Sequence, residues 1–298
     1  MRQFGSKLFA VTLIAISFLA ATSPGRAQSK APLAFEAVSV KVNKSTDPRA
    51  MALQYLPGGR FTATGVPIPL LILEAYQASR LVPSPEFQKL DLSVIERSRY
   101  DIQAVAAQGT IPPDASSKVR NDKIREMLQA LLADRFKLKV HRETKEQSVY
   151  VIVVAKNGPK LQSAQMQEKD CAGKVTDLAD PASCHNFGGG QGQGLHGQAV
   201  DMSDLAVALS RFADKPVVDK TGLTGLYNIQ TAGWVPLVPR PPRPDGGTEA
   251  QRAEDQAFAD PNRPTLNDVL DKLGLKLETQ NGSAETVVVD YVAAASEN

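Results

Sequence analysis

Two hexapeptides far apart in the chain constrain its fold more than any other feature. Arg99-Tyr100-Asp101-Ile102-Gln103-Ala104 and Leu226-Tyr227-Asn228-Ile229-Gln230-Thr231 read as nearly the same strand written twice. In each, Tyr and Ile fall on one face and polar side chains on the other, the alternation of a half-buried β-strand. A repeat at this distance implies two copies of one folding unit, so the elements are assigned copy by copy.

The flanking segments extend the match. Val66, Ile68 and Leu71 correspond to Val200, Met202 and Leu205, and each stretch reads as a short strand running into an amphipathic helix. In the later copy Leu205, Val207, Ala208, Leu209 and Phe212 recur at helical spacing, with Asp201 or Ser203 as the cap. Pro67 and Pro69 suit the first turn of the earlier helix, where N–H groups have no intrahelical partner. Further on, Ile124, Met127, Leu128, Leu131, Leu132 and Phe136 predict a helix, followed by strands over residues 137–140 and 149–154. Leu266, Val269, Leu270 and Leu273, then strands over 275–278 and 286–289, repeat that order.

The predicted fold class is therefore α+β, a tandem duplication of a β-α-β-α-β-β unit. One such unit of roughly 80 to 100 residues sits near the lower limit for folding alone, which two packed copies relieve. The first unit is expected over residues 33–156, with an added strand carrying Val38, Val40 and Val42, and the second over 198–292. Residues 157–197 read as a linker containing Cys171, Cys184 and the glycine run from Phe187 to Gly194, flexible because ordered glycine loses so much chain entropy. A Pro-rich excursion at 235–260 reads as an extended or disordered loop inside the second unit. The element order is similar to the short N-terminal domain of secretins and TonB-dependent receptors, a periplasmic module used for protein contacts.

Residues 1–27 carry an export signal in order: Arg2 and Lys7, an apolar stretch from Leu8 to Ala21, then Gly25 and Ala27 before a cut at Gln28. The apolar stretch is shorter than the roughly 20 residues of a membrane span, although an uncleaved anchor is the competing reading. No span is expected after cleavage. The signal holds three of the 34 basic residues and none of the 32 acidic ones, so the remainder is close to neutral. Scattered basic residues and 6% aromatic content offer neither a phosphate-tracking stripe nor a base-stacking platform, which argues against nucleic acid. Periplasmic or secreted location would oxidise Cys171 and Cys184, and a disulfide is favoured; a free pair stays open, because sequence does not show whether the backbones approach.

Three stretches resemble a known family: residues 35–41, residues 130–144 with Asp134-Arg135-Phe136-Lys137-Leu138, and above all Val217-Val218-Asp219-Lys220-Thr221-Gly222-Leu223-Thr224-Gly225-Leu226-Tyr227. The resemblance is to the DUF3738 (TIGR03435) family of uncharacterised exported proteins expanded in Acidobacteria and other soil bacteria. It covers roughly residues 33–292 and implies no established activity. Some relatives look fused to membrane metallopeptidases of the antibiotic-sensor type, which would imply sensing or partner binding.

Catalytic sets are incomplete. Lys220-Thr221-Gly222 matches one motif of penicillin-recognising serine enzymes, but no serine stands three positions before a lysine and Ser-Asp-Asn is absent. The histidines are His141, His185 and His196, none followed by glutamate as a zinc-protease helix requires. Cys171, Cys184, His185 and His196 lack the close cysteine pair of structural zinc sites, and His141 reads as a solvated strand residue. Gly192-Gln193-Gly194-Leu195-His196-Gly197 has dinucleotide-loop spacing without a buried strand before it. Asp201 and Asp204 read as a helix N-terminus. No metal or cofactor is expected.

These readings favour a non-catalytic periplasmic or secreted binding module, with an envelope protein or polymer as partner. A shared surface would draw on Asp219, Lys220, Thr221 and Tyr227 with Tyr100 and Asp101, although turn formation and core packing account for the same residues. The alternatives are an envelope hydrolase with a site between the units, and a sensor domain serving a membrane metallopeptidase.

Overall fold

The computed structural model describes residues 33–45, 51–78, 80–89, 98–177, 183–237 and 262–295, with residues 1, 180, 252, 256, 258 and 260. The expected signal and most of the Pro-rich excursion lie outside the described residues. Within them the fold is mixed α+β, with three sheets and five helices.

The first sheet has the order β1-β5-β3-β2-β8. Its strands are β1 (Phe35–Val42), β2 (Ala52–Leu56), β3 (Arg60–Pro67), β5 (Arg99–Ala106) and β8 (Thr176–Asp177). The valine-rich N-terminal strand joins it antiparallel to β5, with Val40 opposite Ile102. The second sheet is β7-β12-β10-β9, built from β7 (Gln162–Ser163), β9 (Asn186–Gly190), β10 (Gly194–Val200) and β12 (Tyr227–Gln230). The third is β11-β6-β13-β4, from β4 (Leu81–Pro83), β6 (Lys139–Val154), β11 (Val217–Asp219) and β13 (Leu275–Tyr291).

Helix starts follow local chemistry. Helix α1 (Ile68–Tyr76) begins after Pro67 with a second proline in its first turn, where a missing N–H costs nothing. Helix α2 (Ser117–Arg135) is capped by Ser116, whose side chain accepts from the Val119 N–H. The short α3 (Glu168–Cys171) and α4 (Met202–Ser210) both carry reciprocal capping boxes, Asp201 with Asp204 in the latter. Thr265 and Asp268 do the same for α5 (Leu266–Lys272).

Two expectations are corrected. The glycine run is not a flexible linker but the β9–β10 hairpin, with Leu195 opposite Gly189 and Gly197 opposite Phe187. Two of its glycines are required by close backbone approach: a Cβ on Gly189 (φ +90°) would run into the Gly194 carbonyl, and one on Gly194 (φ +88°) into the Thr231 carbonyl. The paired strands expected over 137–140 with 149–154, and over 275–278 with 286–289, are each one continuous strand, β6 and β13. They pair antiparallel from Leu275 opposite Val154 to Val289 opposite Val140 and on to Tyr291 opposite Lys139. Backbone hydrogen bonding carries the ribbon through Lys145 and Glu146, which are exposed and show no apolar alternation.

That ribbon serves two cores. One holds Tyr55, Phe61, Tyr100, Ile124, Leu128 and Phe136, and takes Val289 and Val292 from the C-terminal end of the chain. The other holds Leu205, Leu209, Trp234, Val269 and Leu275, and takes Ile152 from the end of β6. Each buried aliphatic or aromatic side chain contributes about 1.5–3 kcal/mol, so neither core is complete without its part of the ribbon. The disulfide joins Cys171 and Cys184, with Cα atoms 6.0 Å apart and both residues buried. Among the described residues no helix is long and apolar enough to cross a membrane.

Candidate functional site: an ion cluster beside a groove

The residues selected from sequence are spread over three sheets, with Lys220 and Thr221 in the turn after β11. Tyr100 is buried in the first core, its ring edge-on to Phe136 at 4.9 Å and its hydroxyl accepting from the Ala295 N–H. Asp101 accepts from Asn43 Nδ2 and from the Gly65 N–H, at 2.7 and 2.8 Å, where the register between β3 and β5 shifts. Asp219 accepts from both the N–H and the hydroxyl of Thr221, which in turn accepts from the Leu223 N–H. Lys220 is exposed and donates to Gln280. Tyr227 donates to the Thr224 carbonyl and packs on the second core.

The structure gathers a different set. His185 follows Cys184, and its side chain is 7% exposed. Its Nδ1 lies 2.8 Å from Asp204 Oδ2 and its Nε2 lies 2.7 Å from Glu168 Oε2. Ionised carboxylates only accept, so both ring nitrogens donate and the ring is an imidazolium. Burial pulls its pKa down, but the Asp204 and then the Glu168 carboxylates outweigh burial and push it up to about 9. Burial likewise opposes the charge on Glu168, and the His185 hydrogen bond holds that carboxyl below its usual range.

The cluster continues through α4 and α2. Asp204 Oδ2 also accepts from the Asp201 N–H, and Asp201 Oδ2 pairs with Lys118 Nζ at 2.8 Å. Against the cost of burial, the Lys118 hydrogen bond keeps the Asp201 carboxyl low. Glu168 approaches the first turn of α2 through the Lys118 N–H, a longer contact of 3.4 Å. Negative charge at these two helix N-termini is favoured by the helix dipoles. Sequence reading reaches Asp201 and Asp204 only as a helix start and His185 only as a metal ligand. The adjacency of His185 to a cysteine is the one local signal of what the tertiary structure builds.

A second charged group faces the first across a narrow cleft. Tyr55 donates to Glu74 Oε1 at 2.5 Å, Arg125 donates to the same oxygen at 3.0 Å, and the guanidinium lies 5.2 Å from the Tyr55 ring centroid. Burial, then the Glu74 charge, pushes the Tyr55 hydroxyl well above its usual range. The cleft between these groups and His185 has a volume of about 90 Å³, room for several waters. A groove of about 650 Å³ opens beside the cluster, between the start of α2, residues 163–168 and residues 224–227. That volume falls in the usual range of ligand sites, about 300–1,000 Å³. Of the six residues selected from sequence, Tyr227 alone lines it.

As chemistry, the cluster is closed. A general base needs a lone pair within reach of a substrate proton, and both nitrogens of His185 are engaged. His185, Asp201 and Asp204 each bring one ligand atom within 4.8 Å of the others, but a metal ion would have to displace a ring proton and the Lys118 ammonium. The set Cys171, Cys184, His185 and His196 is ruled out as a zinc site because both thiols are in the disulfide.

No curated protein and no solved structure matches the chain. The family model described as "Protein of unknown function (DUF3738)" matches residues 71–292, a span that includes β4, the disulfide, the ion cluster and all of β13. The chain therefore belongs to the DUF3738 family.

Proposed function

We propose that this chain is an exported binding module of the cell envelope, acting in the periplasm or outside the cell and holding a protein or polymer partner without chemistry of its own. The observation that carries this reading is the engagement of both His185 nitrogens by carboxylates, beside a groove large enough for a ligand. Charged side chains from α2, α3 and the N-cap of α4 pair with one another there and stiffen the groove wall. The buried disulfide supports export, since such bonds persist in oxidising compartments.

The reading extends to a duplicated architecture. The order β2, β3, α1, β4, β5, α2, β6 is followed by β9, β10, α4, β11, β12, α5, β13. Two copies of one unit that exchanged their last strands would leave this order, and would explain why β4 and β11 both run parallel to the long strand of the other copy. Modules of similar element order, in secretins and TonB-dependent receptors, serve protein contacts, and the same use is proposed here.

Expression with the signal intact, followed by fractionation and affinity capture from the native envelope, tests the reading. Export with cleavage before Gln28 and recovery of a specific partner is the expected result. Retention in the cytoplasm, or turnover of glycans, peptides or esters that His185→Gln abolishes, would replace it with another function, the latter with an envelope hydrolase.

A further inference from the structure

The groove beside the ion cluster has features that point to its occupant. Its walls are apolar: Val119 on α2 is 47% exposed, an unusual exposure for a valine on a packed helix, and Met166, Leu226 and Tyr227 stand across from it. Along one side runs β7, an edge strand whose neighbour in the sheet is β12. The Ala164 N–H donates to the Leu226 carbonyl at 2.8 Å. Alternation in an antiparallel pair then turns the N–H and C=O of Ser163 to the opposite edge, where no strand pairs among the described residues.

We propose that the groove is a docking site for an extended peptide segment of a partner protein, which adds a strand along β7 and seats one apolar side chain between Val119 and Tyr227. An open sheet edge beside an apolar groove supplies both parts of strand addition, main-chain hydrogen bonds for affinity and a pocket for an alternate side chain. A polymer of sugars would not pair with the Ser163 peptide groups as a strand does. Charge refines the match. Asp122, Glu168 and Asp201 line the groove with Lys118 and His185; counted with their ion-pair partners Arg125, Glu74 and Asp204, five carboxylates stand against three cations, so a basic residue next to the apolar one is favoured. Asp204, behind the lining, holds His185 against Glu168 and so fixes this wall of the groove.

This assignment rests on the binding reading above, and its test separates the two. The full exported chain is titrated with fluorescein-labelled, end-blocked peptides Thr-Lys-X-Lys-Thr, X being Leu, Ile or Phe, at up to about 1 mM. The expected result is saturable binding by at least one of them. Val119→Glu, a surface change on α2, should weaken it about tenfold, as should Asp at X or backbone N-methylation of the peptide. Absence of binding by all three peptides, or binding indifferent to Val119→Glu and to N-methylation, overturns the groove assignment. A partner captured equally well from the envelope by wild-type and Val119→Glu protein would also overturn it while leaving the binding reading intact. Capture of nothing by the wild-type chain fails the binding reading itself.

Discussion

Glu168 and His185 meet at 2.7 Å beside the Cys171–Cys184 disulfide, which joins the two chain segments on which they lie. The carboxylate stands one helical turn before Cys171, and the imidazole directly follows Cys184. His185 also occupies φ +56°, a left-handed conformation that costs a non-glycine residue roughly 1–2 kcal/mol. Disulfide and ion cluster are therefore one device: the covalent bond positions the groups, and the pairing of charges offsets the backbone strain.

Replacing both cysteines should expose this dependence. Cys171→Ser with Cys184→Ser is expected to lower unfolding free energy by about 3 kcal/mol from the short closed loop alone, with a further loss as His185 drifts from Glu168. Urea denaturation measures the first. Proton NMR of the His185 ring measures the second, as a pKa falling back toward 6.5; an unchanged titration would show that the carboxylates hold the ring without the bridge.

The pH dependence has a definite sign. His185 is raised from 6.5 to about 9, so its contribution is fully present below about 6.5 and is lost as pH climbs through 9. Glu168 and Asp201 are held below their ordinary values and act oppositely, stabilising at neutral pH and losing that contribution in acid. Urea midpoints of the wild-type chain should fall between pH 7 and 10 by an amount equivalent to roughly 2–3 kcal/mol. His185→Gln should flatten this decline.

Glu74 is 6% exposed and receives both Tyr55 and Arg125. Glu74→Ala leaves the guanidinium without its buried partner and should cost about 3–5 kcal/mol, whereas Tyr55→Phe removes one hydrogen bond and should cost about 1 kcal/mol. A double-mutant cycle between Glu74 and Arg125 checks the coupling. Additivity would mean that Asp122, which also accepts from Arg125, can replace Glu74.

Val289 lies near the C-terminal end of β13 yet packs into the core formed by β1, β3, β5 and α2. Val289→Ala should destabilise by about 2 kcal/mol, and hydrogen exchange should report the loss at amides of β5 and α2. Acceleration confined to α4, α5 and the second sheet would contradict the shared ribbon.

Much of the secondary structure was legible from local pattern. The helical spacing of Ile124, Met127, Leu128, Leu131 and Leu132, the Asp201–Asp204 cap and the alternation of Tyr100 with Ile102 each depend on neighbours within a few residues. The ribbon was harder to see, because Lys145, Glu146 and Gln147 carry no apolar signal and their partners lie far along the chain. The glycine run misled for a related reason: its entropy cost is local, but its requirement for close approach to Thr231 arises only in the fold.

Sequence by itself determined helix starts and strand faces, set by short-range sterics and hydrophobic period, and the family, carried by its motifs. Only the tertiary structure decided which strands pair, that the C-terminal strand completes the N-terminal core, and that His185 meets Asp204 and Glu168. Hydrogen-bond register and ion pairing between distant segments depend on distances that local propensity does not encode.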